Sequence, residues 1–287
     1  MGKYEETIKT KQAQKAKELI MKFKLAICLA AIMVISGLYH VTDAATGFEY
    51  LPDEHTIGLW HFNEGSGNKV KDESKNNLDG EIEGKGVWGP DDWNKEGGGK
   101  SVEFDGKTAI VIGSVKDKRA NKLLTPDDAI TVEAWVYPTD MASWKLICCH
   151  WAGAVGKYHL GVTNGVPNMH VNTDKGTANA ASALKMGVKE WYHVAGTYDG
   201  AKIKIYINGK LEGSAPHKGK LSTGSPWDVM VGTKASREFN WKGFIDEVRV
   251  SSIARTAEEL SANFDRPQAV NFQSSSLPVY WGKLKKE

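Results

Sequence analysis

The feature that most constrains this chain is an alternation of side chains with period two, repeated in segment after segment. Ile130, Val132, Ala134 and Val136 alternate with Thr131, Glu133, Trp135 and Tyr137, and Ile203, Ile205 and Ile207 alternate with Lys202, Lys204 and Tyr206. Successive side chains of a strand point to opposite faces, so this pattern predicts strands with one face on a core and excludes amphipathic helices there. Asn164-Gly165 and Asn208-Gly209 separate such runs. That dipeptide favours the type I′ hairpin turn, joining residues 158–163 onto 166–171 and 202–207 onto 210–214. Further strands are predicted at 57–62, 101–112, 191–198, 229–232 and 244–250. Many short strands with Gly-rich turns predict an all-β fold, a two-sheet antiparallel jelly-roll sandwich. One short helix follows, because Thr256 and Glu259 form a capping box ahead of Leu260 and Phe264.

The first 45 residues read differently. Met21-Lys22-Phe23-Lys24 is a short basic segment, residues 25–39 are apolar and uncharged, and Thr42-Asp43-Ala44-Ala45 ends in small residues. These are the three parts of a secretory signal peptide over 21–45, with cleavage after Ala44 or Ala45. A secreted or cell-envelope location is therefore expected, with no membrane contact after cleavage. The alternative is an uncleaved anchor over 25–41, although a spanning helix needs about 20 apolar residues. Residues 1–20 form a polar extension that a start at Met21 would remove. The expected domain covers 49–266, and 267–287, with Ser274-Ser275-Ser276 and a basic end, reads as a flexible tail.

Charge and cysteine content narrow the partners. After residue 45 the chain keeps 30 of its 37 Lys and Arg and 31 of its 35 Asp and Glu. A near-neutral domain lacks the field that draws proteins to nucleic acid, so no nucleic-acid partner is expected. Cys148 and Cys149 are the only cysteines after the signal, so no disulfide framework holds the domain. In a strand Cys148 and His150 would share one face and Cys149 the other, against a zinc site built from all three.

Five segments then resemble a known family in its own order. They are Gly58-Leu59-Trp60-His61-Phe62-Asn63-Glu64-Gly65, Ser101-Val102-Glu103-Phe104-Asp105-Gly106, Ile130-Thr131-Val132-Glu133-Ala134-Trp135-Val136, Trp191-Tyr192-His193-Val194-Ala195-Gly196-Thr197-Tyr198-Asp199-Gly200 and Phe244-Ile245-Asp246-Glu247-Val248-Arg249-Val250. Together they resemble the laminin-G-like, concanavalin A-like jelly-roll domains over about residues 57–264. The resemblance implies a binding module with a glycan as its leading ligand; the alternatives are a structural or adhesive envelope protein that binds a cell-surface protein and, behind it, a glycoside hydrolase, since that fold hosts lectins, adhesion domains and glycoside hydrolases. The E-x-D-x-x-E strand of the fold's retaining glucanases is absent, and Asp246-Glu247 are adjacent, so no same-face carboxylate pair is expected and the chain reads as not an enzyme.

The resemblance also implies calcium. Many relatives hold one ion where their first and last strands meet, and Asp72, Asn77 and Asp246 match the oxygen-donor positions of that pattern; hard oxygen ligands suit Ca2+. For a glycan, aromatic faces beside a few polar groups are needed. Trp144, Trp151 and Trp241 lie at or near predicted loops and are the expected ligand contacts, whereas Trp60, Trp135 and Trp191 sit in strand motifs and are expected in the core.

Overall fold

The computed structural model describes residues 49–90, 99–113, 118–152, 155–222 and 227–265. All belong to the unit Thr46–Glu287. The expected signal peptide at 21–45, the extension at 1–20 and the tail at 267–287 lie outside the described residues.

Among the described residues two antiparallel eight-stranded sheets stack face to face. The first contains β1 (Thr56–Trp60), β4 (Val87–Pro90), β5 (Lys100–Asp105), β7 (Ile130–Pro138), β12 (Tyr192–Tyr198), β13 (Lys202–Ile207), β14 (Lys210–Pro216) and β16 (Lys242–Ser251). The second contains β2 (Lys69–Val70), β3 (Gly80–Glu83), β6 (Ala109–Ile112), β8 (Trp144–Ala152), β9 (Val155–Thr163), β10 (Val166–Thr173), β11 (Gly176–Ala181) and β15 (Val229–Val231). In the first the order is β14-β13-β12-β7-β16-β5-β4, with β1 also on β16; in the second it is β11-β10-β9-β8-β15-β6-β3-β2. The core between them includes Trp60, Phe62, Phe104, Tyr158, Tyr198 and Trp241. This is the expected all-β sandwich.

Local chemistry explains where the chain departs from its pattern. The run at 101–112 is not one strand: Asp105 Oδ1 accepts from the backbone N–H groups of Lys107 and Thr108 at 2.8 Å, and Gly106 sits at φ 88. That Asx-type turn sends β5 into one sheet and β6 into the other. The capping box forms as expected, with Glu259 N–H donating to Thr256 Oγ1 at 3.2 Å and Thr256 N–H to Glu259 Oε2 at 2.7 Å. A short helix α1 (Lys118–Leu123), which the sequence pattern does not signal, precedes β7, and α2 (Ala257–Asp265) is the expected C-terminal one.

The polar half of the β7 alternation is also buried. Glu133 is 0% exposed because Arg249 of β16, His193 of β12 and Arg255 meet its carboxylate, and Tyr50 packs over Arg249 at 4.7 Å from the ring centre. The first sheet thus carries a second, ionic layer on the face away from the main core.

Candidate functional site

Strands β8, β9 and β10 build a cavity of about 140 Å³ on the side of their sheet away from the core. Its placement follows from register. Cys149 of β8 pairs with His159 of β9, which pairs with His170 of β10, while the neighbouring Cys148, Leu160 and Met169 point into the core. Strict alternation would put Trp144 and Trp151, seven residues apart, on opposite faces. A register shift between Leu146 and Cys148 adds Ile147 as an extra residue and inverts the parity, so Trp144, Leu146, Cys149 and Trp151 all line one cavity. A Cβ on Gly156 would lie 2.3 Å from Trp151 Cγ, so only glycine lets this indole approach β9.

The connection from β15 to β16 closes another wall with Lys234 and Phe239. Arg237 and Phe239 both hold positive φ, at 59 and 60, and the Phe239 carbonyl accepts from Leu146 N–H at 2.9 Å. Non-glycine residues held in this region cost free energy and persist where surrounding contacts over-determine them. The result is an aromatic box: Phe239 lies 4.6 Å from the Trp144 ring, His159 5.1 Å from Trp144 and 5.4 Å from Trp151, and His159 stacks on His170 at 4.2 Å. Lys234 Nζ sits 4.4 Å above the Phe239 ring and pairs with Glu238 at 2.7 Å.

Its polar groups are few and available. Trp144 Nε1 and His159 Nε2 are buried and have no hydrogen-bond partner among the described residues. Burial holds the His159 imidazole well below its usual range, helped by His170 and Lys234, and holds His170 down to about 4. Burial likewise raises both thiols, that of Cys148 to about 12, so neither is a thiolate nucleophile. Neutral rings, two unmatched polar nitrogens and one lysine make a site for binding rather than for proton transfer.

A larger recess of about 620 Å³ is lined by Glu49, His61, Asn63, Glu64 and Glu73 among others. There the chain already answers the carboxylates: Asn63 Nδ2 donates to Glu49, Lys71 N–H to Glu64, and Lys71 Nζ to Glu73. His61 Nδ1 faces the buried Glu247 at 2.7 Å. The aromatic cavity, with polar atoms left over, is the better ligand site.

Of the three tryptophans expected at a ligand, Trp144 and Trp151 meet in this cavity and Trp241 does not. Trp241 is 0% exposed and belongs to the core, its backbone N–H donating to Gly232 O at 2.7 Å. Its polar neighbours suggest a loop, yet it leads directly into β16 and turns its ring inward. Sequence reasoning also misses His159, His170, Lys234 and Phe239.

The residues expected as calcium donors are each engaged within the chain. Asp72 is buried, and its two oxygens accept from Leu59 N–H, Ser74 N–H, Ser74 Oγ and Leu78 N–H at 2.7 to 3.0 Å. Asn77 is exposed at φ 52 and its amide turns back to Lys75 O. Asp246 is buried at the β16 bulge, accepting from Glu247 N–H at 2.9 Å. Among the described residues no group of three or more His, Cys, Asp or Glu could hold a metal ion. Asp72 therefore anchors the turn after β2. Asp72→Ala, which strands three buried N–H donors at about 1–3 kcal/mol each, is expected to lower the melting temperature equally in calcium and in chelator. A loss confined to the calcium sample would instead support the ion.

Comparisons with known proteins place the fold. A family model described as the concanavalin A-like lectin/glucanases superfamily matches residues 113–261. No curated protein matches the chain. Domain 4 of AbnA, a GH43 extracellular arabinanase from Geobacillus stearothermophilus solved in complex with arabinotriose, is similar at 17% identity and a TM-score of 0.58, over 73% of this chain and 98% of that one. The binding domain of Paraclostridial Mosquitocidal Protein 1 is similar at 14% identity and a TM-score of 0.57, over 74% of this chain and 52% of that one. The binding domain of Botulinum Neurotoxin DC in complex with SialylT gives 11%, 0.55, 75% and 52% in the same order. The chain spans about half the length of these toxin binding domains. At such identities the likeness shows the fold. No helix among the described residues is long and apolar enough to cross a membrane.

Proposed function

Because this chain belongs to the concanavalin A-like lectin/glucanases superfamily, we propose that it is an exported, non-catalytic binding module that holds a glycan in the aromatic cavity of β8, β9 and β10. The observation that carries this reading is the convergence of Trp144, Trp151 and Phe239 with two unpartnered buried nitrogens in one recess. Ring faces cover the apolar side of a sugar while Trp144 Nε1 and His159 Nε2 meet its hydroxyls, the mix of apolar lining and few placed polar groups that small-ligand sites use. Solved relatives of this fold carry arabinotriose and SialylT, which supports a glycan over other ligands. The basic, apolar and small-residue segments of 21–45 support export.

The lining supports binding without turnover. Most glycoside hydrolysis uses two facing carboxyl groups, and among the described residues no acidic side chain lines this cavity. A glycan array followed by affinity measurement on the retained glycan tests the reading. Trp144→Ala and Trp151→Ala are each expected to weaken retention at least about tenfold with little loss of stability, since both rings are partly exposed. Trp241→Ala should instead cost about 3–5 kcal/mol of stability, as a core truncation does. Retention unchanged in both cavity variants, or release of reducing sugar, would overturn the proposal. If no glycan is retained, the adhesive reading, with a protein partner on the cell surface, takes its place.

A further inference from the structure

The cavity also constrains which sugar it takes. At about 140 Å³ it holds the volume of four to five waters, well under the range of about 300–1,000 Å³ that takes larger ligands. One ring fits, and a chain segment does not. The charge on its lining is one-sided. Among the described residues Lys234 is the only lysine or arginine there and no Asp or Glu joins it, and burial keeps both imidazoles neutral. The partner of Lys234, Glu238, stands outside the cavity and is 58% exposed, so water screens that pair. His159, 4% exposed, adds an unpartnered Nε2 at the same wall.

Resting on the glycan reading above, we propose that the cavity is selective for a single acidic sugar ring, its carboxylate set against the Lys234 ammonium and the His159 Nε2 edge, its apolar face against Trp144 and Trp151. A carboxylate supplies the countercharge that the lining lacks. Charge-assisted hydrogen bonds are shorter and about twice as strong as neutral ones, and more so in a site shielded from water. Neutral sugars meet the same rings but forgo this contact.

The test is calorimetric titration of the full chain with two sets of probes: glucuronate, galacturonate and N-acetylneuraminate against glucose, galactose and N-acetylglucosamine. The acidic set is expected to contain a ligand at least about tenfold tighter than any neutral one. Lys234→Met keeps an unbranched stem over Phe239 and should bring the acidic ligand down to the affinity of the neutral set while leaving the melting temperature in place. Glu238→Gln, which frees Lys234 from its competitor, should tighten the acidic ligand severalfold. Neutral sugars bound as tightly as acidic ones, or a preference that survives Lys234→Met, would overturn acidic selectivity and leave the glycan reading standing. Binding of no sugar of either set by the wild type would overturn both.

Discussion

Glu133→Ala is expected to destabilise the domain by about 3–5 kcal/mol, the cost of breaking a buried ion pair from one side. The Glu133 carboxylate is fully buried on β7; it accepts from Arg249 Nε at 2.8 Å, pairs with the Arg249 Nη2 charge at 2.7 Å, lies 3.0 Å from His193 Nε2 and 3.9 Å from Arg255 Nε. Burial alone would raise its pKa, but Arg249 first, then His193 and Arg255, hold it down to about 2. The charge is therefore kept through the neutral range and matched by two guanidinium groups that are themselves only 3% exposed. Deleting it leaves Arg249 buried without its counter-ion, whereas Arg255 keeps Asp53 at 2.8 Å. For a domain of this size the loss corresponds to about 10 °C in melting temperature. Neutralising Glu81, whose pair with Lys69 is more than half exposed, is the control and should cost under about 1 kcal/mol. A Glu133 variant that melts with that control would show that the network adds nothing net to stability.

Glu133 also marks how far the sequence could be read. Its alternation identifies β7, but the two-face rule assigns it to solvent, and only the tertiary arrangement shows Arg249 and His193 on the flanking strands, with Arg255 and Tyr50, burying that face. The hairpin at Asn164-Gly165 is legible in the same way and carries more than a strand assignment. A two-residue turn there dictates that His159 faces His170, which is the pairing found. The floor of the cavity could thus be derived from the turn dipeptide alone. Its walls could not. The bulge at Ile147 carries no turn residue or glycine to announce it, yet it decides that Trp144 and Trp151 share a face. Phe239 comes from a connection held by two positive-φ residues that are not glycine, so local propensity argues against the geometry it adopts. Trp241 fails for the converse reason: polar neighbours mark a loop but do not say where the ring points. The calcium donors are a third case, since Asp72 satisfies the motif while its oxygens are consumed by the turn it shapes.

The second large effect is a loss of stability as the pH falls from 6.5 toward 4, before the carboxylates respond. Burial lowers His150 to about 4 and His170 to about 4, and holds His159 well below its usual range. Each takes up a proton near pH 6.5 when unfolded and resists it when folded, so the unfolded state binds more protons in this window. A depressed pKa contributes stability that is complete above the unfolded value and lost as pH falls toward the folded one. For His150, which is 1% exposed and bonded through Nε2 to Trp227 O at 2.8 Å, the loss by pH 5 is about 2 kcal/mol. His159 acts in the same direction, and the half-buried His170 adds less than His150. Glu247 opposes them, because burial raises its carboxyl and folding then retains a proton that the unfolded chain releases. His61, raised by Glu247 against the effect of its own burial, contributes fully below pH 6.5 and loses stability only as pH rises through its folded value. Three imidazoles against one carboxyl leave a net loss. Glu133 enters later, its contribution disappearing between pH 4.5 and about 2. Urea midpoints measured from pH 7.5 to 4.5 should therefore fall steadily, and His150→Gln, which keeps an amide donor near Trp227 O without the titration, should flatten the slope. A midpoint that holds constant over that range would mean that the histidines of β8, β9 and β10 titrate as they do in water, and the neutral, water-poor character assigned to the aromatic cavity would go with it.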